Sequence, residues 1–140
     1  MERRKNRQKG FTLIEIIAVL IILGILAAVA VPKFMNLQEE ARKKAAQNLV
    51  AAAQSALSMN YAKYLLQENG DAGTAWNDLK GNATREDGIC KKQVSKDGYE
   101  DYDLSCTLNG DDKIEIKVTD KNDNTKILAT GNFTNPASSS

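Results

Sequence analysis

One apolar segment near the amino terminus constrains the fold of this chain more than any other feature. Residues 11–31 carry a single charged side chain, Glu15. As an α-helix this segment would be about 31 Å long, which matches a bilayer hydrocarbon core of about 30 Å. Because the segment is apolar on every side, we expect it to lie in lipid or among other helices.

A short basic head precedes the apolar segment. Residues 1–10 contain five of the 19 basic side chains and one acidic side chain, which leaves 14 basic and 17 acidic side chains in the remainder. The positive-inside rule places the head in the cytoplasm and the remainder across the membrane. The remainder is mildly acidic and has no basic stripe, so nothing in it indicates a nucleic-acid partner.

Three interpretations of the apolar segment compete. A secretory signal peptide would use the small-x-small cleavage site at residues 28–30. A permanent anchor would keep the whole segment in the membrane. A cut on the cytoplasmic side, after Gly10, would instead retain the apolar helix in the mature protein.

Glu15 helps to decide among these interpretations. A carboxylate inside a bilayer-spanning helix costs on the order of 2.5–3.5 kcal/mol, and such groups usually have a partner. A cut after Gly10 creates one, the new amino group of Phe11, either one helical turn away or on a neighbouring copy. Because opposite charges attract strongly in low dielectric, we expect Glu15 to hold an incoming copy until its charge is matched.

The sequence KGFTLIEI, followed by IAVLIILGILAAVAVPKFMNLQEEAR, resembles the class III signal and first helix of type IV pilins and of the related type II secretion pseudopilins. The likeness covers residues 3–53 and looks greatest to pilins of the mannose-sensitive haemagglutinin type. It implies that a prepilin peptidase cuts between Gly10 and Phe11 and methylates the Phe11 amine. It further implies that Glu15 pairs with the amine of an adjacent subunit in a homopolymer, built on a pilus or type II secretion platform in the inner membrane.

Pro32 divides the predicted helix into an apolar half, residues 11–32, and an amphipathic half, residues 33–67. Gly24 and Pro32 bracket a stretch that we expect to bend or unwind, since glycine costs about 1 kcal/mol of helicity and proline removes a hydrogen bond. The resemblance implies unwinding in assembled pili, and a static kink is the alternative. The amphipathic half has apolar residues at spacings of three, four and seven, and Asn69–Gly70 is its predicted stop.

The remaining residues predict an α+β, pilin-like fold, in which the apolar half of the helix protrudes and the amphipathic half packs on a small antiparallel sheet. Residues 68–88 are a connector, with a helical turn over 75–80 that Thr74 caps and Gly81 ends. Trp76 in that turn is expected to cover the domain core, with an exposed contact as the alternative.

The sheet is assigned to residues 89–134. Alternating residues predict strands over 102–108, 113–119 and 126–133, with turns at 109–112 and 120–124. Ile114, Ile116 and Val118 should face the long helix. Residues 135–140 are expected to form a loose tail.

Cys90 and Cys106 are the only cysteines. If the chain is exported, we expect them to form a disulfide worth about 3 kcal/mol by loop entropy. A zinc site is disfavoured because two thiols without any histidine cannot supply four ligands.

Two acidic clusters invite a calcium hypothesis. Asp97, Asp101 and Asp103 form the better candidate. Residues 120–124 begin like an EF-hand loop but lack its central glycine and closing glutamate, which favours a hairpin turn. Our prediction is no metal and no cofactor, with calcium at the first cluster as a weak alternative.

No catalytic motif is recognisable, so we predict a structural protein and not an enzyme. The leading hypothesis is a pilin, an inner-membrane precursor with a cytoplasmic amino terminus that polymerises into an extracellular filament for adhesion or motility. The first alternative is a pseudopilin that forms a periplasmic piston. The second is a monomeric membrane-anchored binding domain, which predicts neither a polymer nor a cut after Gly10.

Overall fold

The computed structural model describes residues 10–94 and 98–138. Residues 1–9 of the basic head and Asp97 of the acidic cluster lie outside the described residues. The described part is α+β, as predicted, and its helices and strands are α1 Leu13–Gln67, α2 Ala72–Ala83, α3 Lys91–Val94, β1 Tyr102–Leu108, β2 Lys113–Asp120 and β3 Asp123–Thr134.

The chain divides into two compact units, residues 1–39 and 40–140. The first unit contains the apolar start of α1, whose large hydrophobic side chains are all exposed. In the described part, α1 alone is long and apolar enough to cross a membrane, judged by length and composition. The helix is unbroken between Gly24 and Pro32. The predicted unwinding is therefore absent from this structure and stays a prediction for the assembled state.

The end of α1 follows directly from the Asn69–Gly70 pair. Asn69 adopts a left-handed conformation with φ 54°, and the Gly70 N–H donates to the carbonyl of Leu65 at 2.8 Å. A bond of this span after a left-handed residue is a Schellman motif, which satisfies carbonyls that the helix end would leave unpaired. The predicted stop is confirmed.

Helix α2 is longer than predicted, because Asp71 caps it and not Thr74. The Asp71 carboxylate accepts two backbone N–H groups, including that of Thr74 at 3.3 Å, and also the Thr74 hydroxyl at 2.9 Å. These bonds hold the pKa of Asp71 below its usual range, and the bond from the Thr74 hydroxyl has the largest effect. The stabilisation that this cap provides is therefore complete at pH values above the ordinary pKa of aspartate and is lost as the pH falls below it. Gly81, the predicted stop, lies inside the helix.

The second unit has its core between α1, α2 and an antiparallel sheet of order β1-β2-β3. Ile114, Ile116 and Val118 are fully buried and belong to one cluster with the buried face of α1, as predicted. The region assigned to the sheet began at residue 89, but its first strand begins at Tyr102. Residues 91–94 form α3 instead, because strict alternation of apolar residues starts only at Tyr102.

Trp76 covers one end of this core. It is 3% exposed, and its indole N–H donates to the carbonyl of Asp111 at 2.7 Å. Its ring stacks on Phe133 and meets the edge of Tyr61. The predicted core position of Trp76 is confirmed, and the alternative of an exposed contact is wrong.

An ion pair fastens β2 to α1 within the second unit. The Arg42 guanidinium lies 3.1 Å from the carboxylate of Asp120, which is 6% exposed. The other oxygen of Asp120 accepts the N–H of Asn122 in the turn that follows. Both oxygens of this buried carboxylate are therefore bonded, which offsets much of the cost of burying its charge.

Glycine substitutions in and after α2 should have opposite effects on stability. A Cβ at Gly88 would overlap the carbonyl oxygen of Asn82, which is backbone and cannot move aside, whereas a Cβ at Gly81 would meet nothing within 4 Å. We expect Gly88→Ala to lower the free energy of unfolding by about 1–3 kcal/mol. Gly81→Ala should raise it by about 0.5–1 kcal/mol, because alanine favours a helix interior.

Urea denaturation of the full chain in detergent, followed by the fluorescence of the buried Trp76, measures both effects. Gly81→Ala is the matched control, since it adds the same methyl group to the same helical region. Equal shifts of the two midpoints in the same direction would contradict the packing described here.

The disulfide joins the segment before α3 to β1. Cys90 and Cys106 are bonded, with their Cα atoms 6.2 Å apart. The Lys91 ammonium lies 2.6 Å from the Asp103 carboxylate, and this ion pair connects α3 to β1. The disulfide and the ion pair both lie within the second unit.

Candidate functional site

The first candidate feature is the bond between Gly10 and Phe11. Both residues precede α1, which begins at Leu13, and both are exposed. A Cβ at Gly10 would meet nothing within 4 Å, and Gly10 is not among the glycines with positive φ. Neither packing nor backbone conformation in the described residues requires glycine here. A requirement for glycine at this position would therefore come from a binding partner.

The second feature is a reciprocal pair of hydrogen bonds at the start of α1. The Thr12 N–H donates to Oε2 of Glu15 at 3.0 Å, and the Glu15 N–H donates to the Thr12 hydroxyl oxygen at 3.4 Å. This is a capping box, in which each side chain satisfies a backbone donor that the helix leaves free. The carbonyl of Thr12 also accepts the first helical bond, from Ile16.

Thr12 was not predicted, although the sequence contains a signal for it. Threonine followed three residues later by glutamate, just before an apolar run, is typical of a capping box. The cost of a carboxylate in lipid, taken alone, predicts only that Glu15 needs a partner on another group. The structure shows that one of its oxygens has a partner on its own chain.

The capping box leaves half of the Glu15 carboxylate available. Oε2 is bonded to Thr12, whereas Oε1 accepts no hydrogen bond within residues 10–94 and 98–138. A carboxylate has about four acceptor positions, so Oε1 can still receive a cation. Glu15 also lies in the first turn of α1, where the helix dipole favours a negative charge. Within the described residues, the Glu15 carboxylate is thus bonded through Oε2 and open at Oε1.

The other predicted site residues do not join this arrangement. Gly24 and Pro32 lie further along α1, the nearer of them about 14 Å from Glu15 at roughly 1.5 Å per residue. A Cβ at Gly24 would meet nothing within 4 Å. Cys90 and Cys106 lie in the second unit, where their disulfide is structural.

The calcium candidates are not gathered into a site by the described residues. No group of three or more acidic, cysteine or histidine side chains there is placed to hold a metal ion. Asp103 is paired with Lys91, and Asp97 lies outside the described residues. In the β2–β3 turn, Asp120 is paired with Arg42. The hydroxyl of Thr125 and its N–H hold the pKa of Asp123 below its usual range. The predicted hairpin is present, but its turn is shorter than the predicted 120–124, because β2 ends at Asp120 and β3 begins at Asp123.

Comparison with known proteins assigns the same amino-terminal region to a family. Residues 5–31 match the model of the prokaryotic N-terminal methylation motif. The type IV major pilin protein PilE1 of Neisseria gonorrhoeae is 38% identical over 98 residues, covering 65% of this chain and 46% of that protein. The type II secretion system core protein G of Aeromonas hydrophila is 45% identical over 56 residues, covering 40% and 39%.

A third relative is the type IV narrow pilus major component PilA5 of Thermus thermophilus, 45% identical over 53 residues, or 38% of this chain and 46% of that protein. The chain thus spans under half the length of each of these relatives. No solved structure gives a significant match. The chain thus carries the N-terminal methylation motif at the start of its apolar helix, and it is similar both to type IV pilins and to type II secretion core proteins.

Proposed function

We propose that this chain is the structural subunit of a type IV pilus-like filament, cut after Gly10, methylated on Phe11 and polymerised with copies of itself. One observation carries the proposal. An exposed, non-helical Gly10–Phe11 bond is followed closely by the capped Glu15, whose Oε1 is open among the described residues, at the start of the exposed apolar half of α1. A chain that only needed an anchor could cap this helix without placing a charge in the membrane segment.

Cleavage would supply the group that Oε1 lacks. The new amine on Phe11 is cationic and lies at the same helix start as the capping box. In a filament, the amine of an incoming subunit would pair with Glu15 of the subunit before it. The capping box already restrains the Glu15 side chain through Oε2. Pairing at Oε1 would therefore cost little further side-chain entropy, which favours the pairing.

The exposed apolar side chains of α1 provide the rest of the assembly surface. In the precursor they would be covered by lipid, and in the filament by the same segments of neighbouring copies. Lipid gives no hydrophobic force between helices, so close packing and polar pairs would have to favour the filament. Glu15 is the polar group that the apolar half of α1 offers for this purpose.

The partners follow from this pathway. They are a prepilin peptidase, an inner-membrane assembly platform and further copies of the chain. The precursor would cross the inner membrane once, with its amino terminus in the cytoplasm, and the assembled subunit would be extracellular. Adhesion and motility are the uses that such a filament would serve.

A pseudopilin of type II secretion is the second candidate. The core protein G relatives, at 41–48% identity, favour it. Those matches span about 40% of the chain, whereas the PilE1 match spans 65% of it. The PilE1 match therefore covers more residues than the segment 1–67 contains. The PilE1 likeness therefore extends beyond α1 into the second unit, which supports the pilin.

Substitution of Gly10 tests the proposal. We expect Gly10→Ser to reduce processing by roughly 10- to 200-fold, the range for one misfitting group in an enzyme pocket. The fold should not change, because a Cβ at this position meets nothing within 4 Å. Pulse labelling in a host with a prepilin peptidase, read by the mass of the product, measures the effect.

Gly24→Ala is the matched control for this experiment. It adds a side chain to another glycine of the same segment that also has free space around it. We expect its processing rate to equal that of the unchanged chain. If Gly10→Ser were processed as fast as Gly24→Ala, the proposed pathway would be wrong.

A further inference from the structure

Two Asn-Gly pairs occur in the second unit, in different backbone environments. Asn69–Gly70 ends α1, and Asn109–Gly110 lies in the turn between β1 and β2. All four residues are exposed, and both glycines have positive φ, 90° and 75°. The pairs therefore share sequence and solvent access.

An Asn-Gly pair can modify itself in water. The deprotonated backbone nitrogen of the glycine attacks the side-chain amide carbon of the asparagine. A carbon–nitrogen bond forms in a five-membered succinimide, and the side-chain nitrogen leaves as ammonia. Water then opens the ring at either carbonyl, giving aspartate or isoaspartate. The net reaction consumes one water, releases one ammonia and needs no oxidant or reductant.

The structure distinguishes the two pairs at the attacking nitrogen. The Gly70 N–H donates to the carbonyl of Leu65 at 2.8 Å, in the bond that closes α1. The Gly110 N–H makes no hydrogen bond among the described residues. Attack at Asn69 would first have to break the helix end, whereas attack at Asn109 needs only a rotation within an exposed turn.

We propose that Asn109 is a site of spontaneous deamidation in the folded chain and that Asn69 is protected. This inference does not depend on the proposed function. The product has a structural consequence, because the carbonyl of Asp111 accepts the indole N–H of Trp76 and that of Asp112 accepts the Asn135 N–H. Isoaspartate lengthens the backbone of this turn and adds a charge beside two aspartates, so the turn that holds Trp76 weakens as the protein ages.

Peptide mapping by mass spectrometry tests the proposal. The full chain in detergent micelles is incubated at mildly alkaline pH, and isoaspartate is labelled with an isoaspartyl methyltransferase. In the folded chain we expect Asn109 to convert about tenfold faster than Asn69, the factor that breaking one hydrogen bond can impose. In the reduced chain in urea, the two rates should become similar. An Asn109→Ser variant gives the background isoaspartate labelling of the same peptide.

Three results would overturn the inference. Equal rates at the two asparagines in the folded chain would mean that the helix-end bond gives no protection. An unchanged Asn109 would mean that the turn prevents the attack. A faster reaction at Asn109 in urea as well as in the folded chain would assign the difference to neighbouring sequence and not to the fold.

Discussion

Glu15→Ala should stop filament formation while leaving the chain in the membrane with its second unit folded. The substitution removes the charge that the Phe11 amine of the next subunit needs, so each contact would bury an unpaired cation. Removing one partner of a buried ion pair costs about 3–5 kcal/mol, or more than a hundredfold in affinity for each contact. Electron microscopy and the amount of protein sheared from the cell surface would measure the loss.

Two further variants separate the charge of Glu15 from its capping role. Glu15→Gln keeps the capping box, because glutamine also serves at this position, but removes the charge. Thr12→Ala keeps the charge but removes the hydroxyl cap, at a cost of about 1 kcal/mol. We expect Glu15→Gln to fail as completely as Glu15→Ala and Thr12→Ala to assemble with a smaller deficit. Normal filaments from Glu15→Gln would contradict the role of the charge.

Removing the disulfide should give the largest loss of stability in the second unit. Replacing Cys90 and Cys106 together by alanine opens a loop whose closure is worth about 3 kcal/mol in the chain-entropy model. Both side chains are buried, so the loss of two sulfur atoms from the core adds to this cost. Urea denaturation followed by Trp76 fluorescence compares the double variant with the unchanged chain.

Reduction of the unchanged chain is the control for that comparison. It opens the loop but keeps both sulfur atoms, so its midpoint should fall between those of the oxidised chain and the double variant. Identical midpoints before and after reduction would show that the disulfide does not stabilise the second unit. Non-reducing peptide mapping of the native protein should find Cys90 joined to Cys106.

Periodic features of the structure could be predicted from the sequence. The start of α1, the β1 strand and the buried face of β2 follow from the spacing of apolar residues, which indicates the side of an element that is buried. These features depend on many residues that agree, so one misleading residue does not change the result.

Features that depend on one or two hydrogen bonds were harder to predict. Thr74 and Asp71 are both good helix caps, and only the structure shows that Asp71 accepts the N–H groups. Nothing in the local sequence indicates that a side chain at Gly88 would overlap the carbonyl oxygen of Asn82. Contacts of this kind arise from the path of the backbone in three dimensions, which the local sequence does not specify.

The candidate site was partly predicted. Gly10, Phe11 and Glu15 could be placed near one helix start because they are close in sequence, and α1 does begin at Leu13. Their roles in processing and assembly stay predictions. Thr12 was not predicted. The cost of a carboxylate in lipid indicates a partner on another group, whereas the structure shows that the N–H three residues earlier on the same chain is one. The capping box changes the account of Glu15 from an unsatisfied charge to one that is half satisfied and held in place.

The most direct test of the account is the intact mass and amino-terminal sequence of the protein sheared from the cell surface. We predict a chain that begins with N-methylated Phe11. A first residue of Val31 would mean that the apolar helix is a discarded signal peptide. Retention of Met1 in the membrane, with no protein in the sheared fraction, would mean an anchored domain, and either result would contradict assembly through Glu15.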